Sequence, residues 1–168
     1  IVRGVREGMA SLGVCWDAVD LGTLQSRPYR SDHLCVAVPG GHPLASRRSL
    51  RFEETLAFEQ VSLPVNAAVQ VMMQRRAAAL GRPLRPRVVV SNFEAALRVV
   101  SAGLAISVVP REVAQLQAAA YGLRLLTLAE PWAERRFIVC LRDAQLLSPA
   151  AQLLLDHLVR QGTGQAAG

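Results

Sequence analysis

Three times between residues 59 and 120 a short apolar run gives way to a helical segment, and glycine or proline marks each change. The run 59–63 ends at Pro64, and a helix fits Ala67 to Leu80 before Gly81 and Pro83 stop it. The run 87–90 opens a second helix that reaches Ala102 and stops at Gly103. LAISVVP (104–110) opens a third, from Arg111 to about Ala120. Runs this short, flanked by breakers, read as buried strands rather than helices, and strands alternating with helices predict an α/β fold with largely parallel sheets.

The flanks extend the pattern. IVRGVREG reads as the end of an amphipathic helix with Gly8 as its stop, and SLGVCW (11–16) as the strand after it. Extended segments follow near 24–30 and 33–39, a short helix fits 53–57, and GLRLLTLA and ERRFIVCLRD give two more strands. Ser148-Pro149 pairs a helix cap with proline at the first helical position, opening a last helix to Gln161, beyond which GTGQAAG should fray. Two breaks interrupt the alternation, a turn at 36–43 and the Pro131-Trp132 loop at 129–136. A chain that leaves one lobe at the first break and returns at the second builds two lobes: 1–40 plus 131–168, and 41–130.

The chemistry excluded is as informative. All 19 basic residues are arginine, so neither a Schiff-base lysine nor the lysine of a phosphate-binding P-loop is available. The arginines are scattered in singles and pairs without a nucleic-acid motif, which suits a solvated basic surface despite the net charge of +6. No apolar run approaches the roughly 20 residues a membrane span needs, so no membrane association is expected. Cys15, Cys35 and Cys140 are far apart and sit inside apolar runs, as buried small hydrophobes do; they are expected to be reduced, which suits a cytoplasmic protein, with Cys35 and Cys140 as candidate neighbours. His42, in the turn PGGHPLA, has no second histidine or nucleophile at a useful spacing, and reads as architecture. No dinucleotide fingerprint, nucleophile elbow or zinc motif is present, and no metal, cofactor or catalytic residue is expected.

The strand-to-helix junctions remain. Pro64-Val65-Asn66-Ala67 and Ser91-Asn92-Phe93 each follow a buried strand and open a helix, where free N–H groups attract anions. Ser91 reads as a cap with Glu94 reaching back three residues later, and Asn66 as either a cap or a ligand contact. Facing them, the end of the 11–16 strand offers Cys15, Trp16 and Asp17.

The order of VREGMASLGV, YRSDHLCVAVPGGHPLASRRSL, NFEAALRVVSAGLAISVVP, ERRFIVCLRD and SPAAQLLLDHL resembles the effector-binding domain of LysR-type transcriptional regulators along nearly the whole chain. The resemblance implies two Rossmann-like lobes joined by two crossover strands, like type 2 periplasmic binding proteins, with crossovers near 35–40 and 133–138. It implies a small effector held between the lobes by Cys15, Trp16 and Asp17 on one side and Pro64, Val65, Asn66 and Ala67 on the other. The residues themselves add Ser91 and Asn92 at the neighbouring junction, and the scattered arginines permit a carboxylate as Trp16, Val65 and Phe93 permit an aromatic acid, with neither compelled. It also implies a homodimer or tetramer that meets DNA through a winged helix-turn-helix outside these 168 residues, along with the domain's first βα unit. A solute-binding protein of a transporter and an enzyme on the same fold are the rival readings.

Overall fold

The structure is a computed structural model that describes residues 1–165, with side chains through residue 162. The chain forms two units, Ile1–Asp32 with the chain from Arg135 onward, and His33–Glu134.

In the first unit, α1 (Val2–Arg6) ends where Gly8 takes a positive φ of 78°, the left-handed turn that a glycine adopts without steric cost. Strand β1 (Leu12–Trp16) then pairs antiparallel with β8 (Glu134–Leu141), setting Gly13 opposite Cys140. The first half of β2 (Gln25–Pro39) lies on the other side of β8. Side chains alternate along β8 as a pleated strand requires. Ile138 and Cys140 join Val5, Cys15 and Leu24 beneath α1, while Val139 and Leu141 meet Leu155 of α6 (Pro149–Gln165) on the opposite face. Gly13 is what lets α1 come so close, because a Cβ there would stand 2.7 Å from Ile1 Cγ2 and 2.9 Å from Val5 Cγ2. The Ser148 hydroxyl accepts from Ala151 N (3.3 Å), as the Ser-Pro signal predicts, but α6 runs to Gln165, past the expected stop at Gln161. Of the tail expected to fray, residues 166–168 lie outside the described residues.

In the second unit, the other half of β2 is the centre. Leu34, Cys35, Val36, Ala37 and Val38 are fully buried, with β6 (Ser107–Pro110) antiparallel on one side and β7 (Leu123–Leu128) antiparallel on the other. Short β3 (Ser49–Leu50) adds to β7 in parallel. Strands β4 (Gln60–Ser62) and β5 (Pro86–Val89) pair in parallel, and a single bridge from Gln60 to Ile106 ties them to the chain entering β6. Four helices belong to this unit: α2 (Phe52–Thr55), α3 (Ala68–Ala79), α4 (Phe93–Ser101) and α5 (Arg111–Gln115). Ala96, Leu97 and Val100 of α4 face the core while Glu94 and Arg98 pair on the outside at 2.9 Å. Fully burying a residue such as Leu97 contributes about 1.5–3 kcal/mol.

Three expectations are corrected here. The sheets are mixed rather than largely parallel, because β2 is one strand of 15 residues running against both its second-unit neighbours, and not two separate extended segments. The helix after Pro110 lasts only from Arg111 to Gln115 and then breaks into turns. Its first turn buries Ala114, whereas Leu116 beyond it is exposed, so little apolar burial supports further turns.

Within the first unit, Asp32 on β2 and Arg135 on β8 form a two-pronged ion pair, with Arg135 Nε donating to Asp32 Oδ1 at 2.8 Å and Nη2 to Oδ2. Each side chain is only 9% exposed. Removing one partner of a buried pair strands the other charge, so Asp32→Ala should lower unfolding stability by about 3–5 kcal/mol. The double change Asp32→Leu with Arg135→Met should lose much less, as urea titration of both variants will measure.

Candidate functional site

The two sequence-predicted junctions of the second unit come together because β4 and β5 are parallel neighbours. Ser62 stands opposite Val89, and Val90 N donates to Ser62 O at 2.9 Å, so both strands end at the same level. From that edge the chain turns through 63–67 into α3 and through 90–92 into α4. Pro64, Val65, Asn66, Ser91 and Asn92 are exposed there, and Ala67 is half-buried. The side chains of both turns are uncharged, α3 has no acidic residue in its first turn, and no side chain caps it. Free N–H groups at such an end carry partial positive charge and suit an anion or a strong acceptor.

The caps differ from the sequence reading. The first helical residue of α3 is Ala68 and its cap position is occupied by Ala67, so Asn66 is one residue too early to cap, and its side chain makes no hydrogen bond among the described residues. At α4 the cap is Asn92, whose Oδ1 accepts from Ala95 N at 2.9 Å. Ser91 instead accepts from Asn92 Nδ2 at 3.3 Å, and Glu94 turns away to pair with Arg98. Asn92 has the extended backbone that a cap needs, with φ −155° and ψ 170°, which shifts the motif by one position.

Gln70 is the residue that the sequence reading missed. Buried at the third position of α3, it accepts from Leu63 N at 3.1 Å and so ties the 63–67 turn to the helix it precedes. The signal was available, because glutamine at the third helical position commonly reaches back to an amide ahead of the helix.

In the first unit, Cys15, Trp16 and Asp17 close β1. Asp17 is exposed and its N–H donates to Arg136 O at 2.9 Å, and Trp16 is half-buried. Cys15 points into the cluster under α1, where its Sγ lies 3.9 Å from Cys140 Sγ. The expected neighbours were Cys35 and Cys140, but Cys35 belongs to the core of the second unit. Register explains the pairing: Cys15 is opposite Ile138 and Cys140 opposite Gly13, a cross-strand diagonal on one face. None of Cys15, Cys35 and Cys140 forms a disulfide, and all three are buried. His42 is structural in this geometry. Its Nδ1 accepts from Leu44 N at 3.2 Å, its ring packs edge-on to Phe58 with centroids 4.9 Å apart, and burial moves its pKa below the ordinary histidine value. Among the described residues no group of three or more His, Cys, Asp or Glu is placed to hold a metal ion, and no helix is long and apolar enough to cross a membrane.

Helices opening from the carboxyl ends of neighbouring parallel strands, in a chain that leaves its first unit once and returns once, define an α/β ligand-binding protein of the type 2 periplasmic-binding-protein kind. The family is narrower still. Residues 1–163 match the LysR substrate binding domain, and the chain belongs to that family, the effector-binding domains of LysR-type transcriptional regulators. The regulatory domain of CcmR from Synechocystis, solved in complex with 2-PG, superposes with a TM-score of 0.82 at 19% identity, over 95% of this chain and 77% of that one. The effector binding domain of QuiR, solved with shikimate, gives 0.79 at 20% identity, over 97% and 77%. The regulatory domain of MetR from N. meningitidis gives 0.80 at 12% identity, over 97% and 75%. At these identities the likeness is one of fold. No curated protein matches the chain.

Burial first, and then the neighbouring Cys140, push the Cys15 thiol up to about 11. A thiolate is the reactive form, so at pH 7.5 the native protein should react with iodoacetamide far more slowly than a free thiol does. Mass spectrometry of the alkylated peptides should show Cys15 and Cys140 modified quickly only after urea unfolding.

Proposed function

We propose that this domain senses a small anionic effector at the junction where α3 and α4 begin, and that it acts by binding rather than catalysis. The observation that carries the reading is the shared edge of β4 and β5, which sets an uncapped helix start and an Asn-capped one side by side. Backbone N–H groups of α3 supply the anion contact, and Asn66, Ser91 and Asn92 supply neutral polar groups that fix its orientation. Pro64, Val65 and Ala67 give the same edge an apolar margin, suited to the body of an aliphatic or aromatic acid.

Occupancy of this edge shifts the regulator between arrangements of its subunits, by no more than the difference in the effector's affinity for them. The regulator so controlled is a homodimer or tetramer that meets DNA through a separate N-terminal winged helix-turn-helix domain. The family membership supports binding over catalysis, and the likeness to effector complexes with shikimate and 2-PG supports small polar ligands.

The test is Asn66→Asp. The exposed Asn66 side chain holds nothing in place, so stability should stay within about 0.5 kcal/mol. Calorimetric titration with shikimate, 2-PG and a panel of simple carboxylates first identifies an anion that the native domain binds. The added negative charge should weaken that anion about tenfold, equivalent to ~1.4 kcal/mol. An anion bound equally well by Asn66→Asp places the site elsewhere.

A further inference from the structure

At the opposite end of α3 the second unit holds a separate cavity of about 560 Å³. Its walls include Arg51, Phe52, Arg76, Leu80, Pro131 and Trp132, drawn from the start of α2, the end of α3 and the short 3-10 turn Pro131–Ala133. The 12 residues of α3 span about 18 Å, so this cavity is a different place from the α3–α4 junction.

Its chemistry is specific. Trp132 is half-buried, stands edge-on to the buried Phe52 with centroids 5.3 Å apart, and carries the Arg76 guanidinium over its ring at 5.6 Å. A planar aromatic wall with a cation over it suits another flat ring bearing negative charge. Two carboxylates, Glu53 and Glu130, also line the cavity, and each has a partner on its own side. Glu130 Oε1 accepts from Phe52 N at 3.0 Å, and Glu53 stands 3.9 Å from Arg82. The nearby Glu54 is tied to Arg47 and to the backbone N–H of Arg51. Neither the Arg51 nor the Arg76 guanidinium forms an ion pair among the described residues: Arg51 acts on Glu54 through its charge alone, and Arg76 lies over Trp132.

We infer that this cavity is a second ligand site, selective for small aromatic anions such as aryl carboxylates, with the ring against Trp132 and the acid group between Arg51 and Arg76. The site gives the domain a second input. Trp132 lies just ahead of β8, whose Arg135 makes the buried ion pair with Asp32, so a ligand seated there bears on the stretch leading into that strand.

The probe is 2-naphthoate, with 2-naphthol as its neutral counterpart at pH 7. The chain has two tryptophans, and in a Trp16→Phe background Trp132 alone reports. We expect a saturable change in Trp132 fluorescence with 2-naphthoate, and the indole N–H signals of the unaltered chain, followed by NMR, give the same reading without that substitution. Arg76→Glu, at an exposed position, should keep its unfolding temperature and weaken 2-naphthoate about tenfold, as losing a hydrogen bond to a charged group does. It should leave the weaker binding of 2-naphthol unchanged. Asn66→Asp should not alter 2-naphthoate affinity, which separates this site from the α3–α4 junction. Unchanged 2-naphthoate affinity in Arg76→Glu, loss of binding in Asn66→Asp instead, or no saturable response from Trp132 each overturns the proposal.

Discussion

The buried ion pair between Asp32 and Arg135 sits at both places where the chain changes units, since Asp32 is the last residue before the second unit and Arg135 the first after it. Two charges removed from water are costly, and only close two-pronged geometry offsets that cost. The pair holds Asp32 of β2 beside Arg135 of β8. Register has consequences for every other side chain, because a slip of one residue turns the pleat over. In the register that β8 keeps with β1, Ile138 and Cys140 face α1 while Val139 and Leu141 face α6. An apolar pair of similar size would stabilise the same strands without specifying their register so narrowly.

The candidate site depends on a second constraint, the backbone of two short parallel strands. Ser62 O accepting from Val90 N levels the ends of β4 and β5, so two helices begin at one edge. The helices are terminated differently. Asn92 satisfies an amide of α4 with its own side chain, whereas α3 keeps its first amides free and spends Gln70 on holding the preceding turn instead. A free amide next to a fixed turn is available to a ligand without prior rearrangement, which lowers the ordering cost of binding.

An all-arginine cationic set shapes the rest of the surface. Arginine forms planar two-pronged pairs and stacks on aromatic rings, and both uses recur here: Arg135 on Asp32, Arg98 over Tyr121, Arg76 over Trp132. These cationic residues are thus parts of specific contacts within the fold.

Much of this molecule was legible from its residues alone, and the legible part was the local part. Glycine at 8, 81 and 103 stops a helix because positive φ costs glycine nothing, and each adopts it; Ser148-Pro149 starts a helix for equally local reasons. The short apolar runs gave the α/β class, and the order of motifs gave the family. Asn92 rather than Ser91 as the cap lay one residue beyond reach, because both side chains can cap and only backbone angles choose between them. Strand direction was legible only in part: the alternation of strands and helices predicted the parallel pairing of β4 with β5, but the apolar run at 34–38 is equally compatible with parallel and antiparallel partners, and only its placement between β6 and β7 decides. The meeting of Cys15 with Cys140, and of Trp132 with Arg76 and Phe52, joins residues far apart in sequence, and no local pattern records it. Sequence determines where a chain turns and which residues avoid water, since those preferences act over a few residues; partners across a sheet are chosen by packing, which only the folded chain can decide.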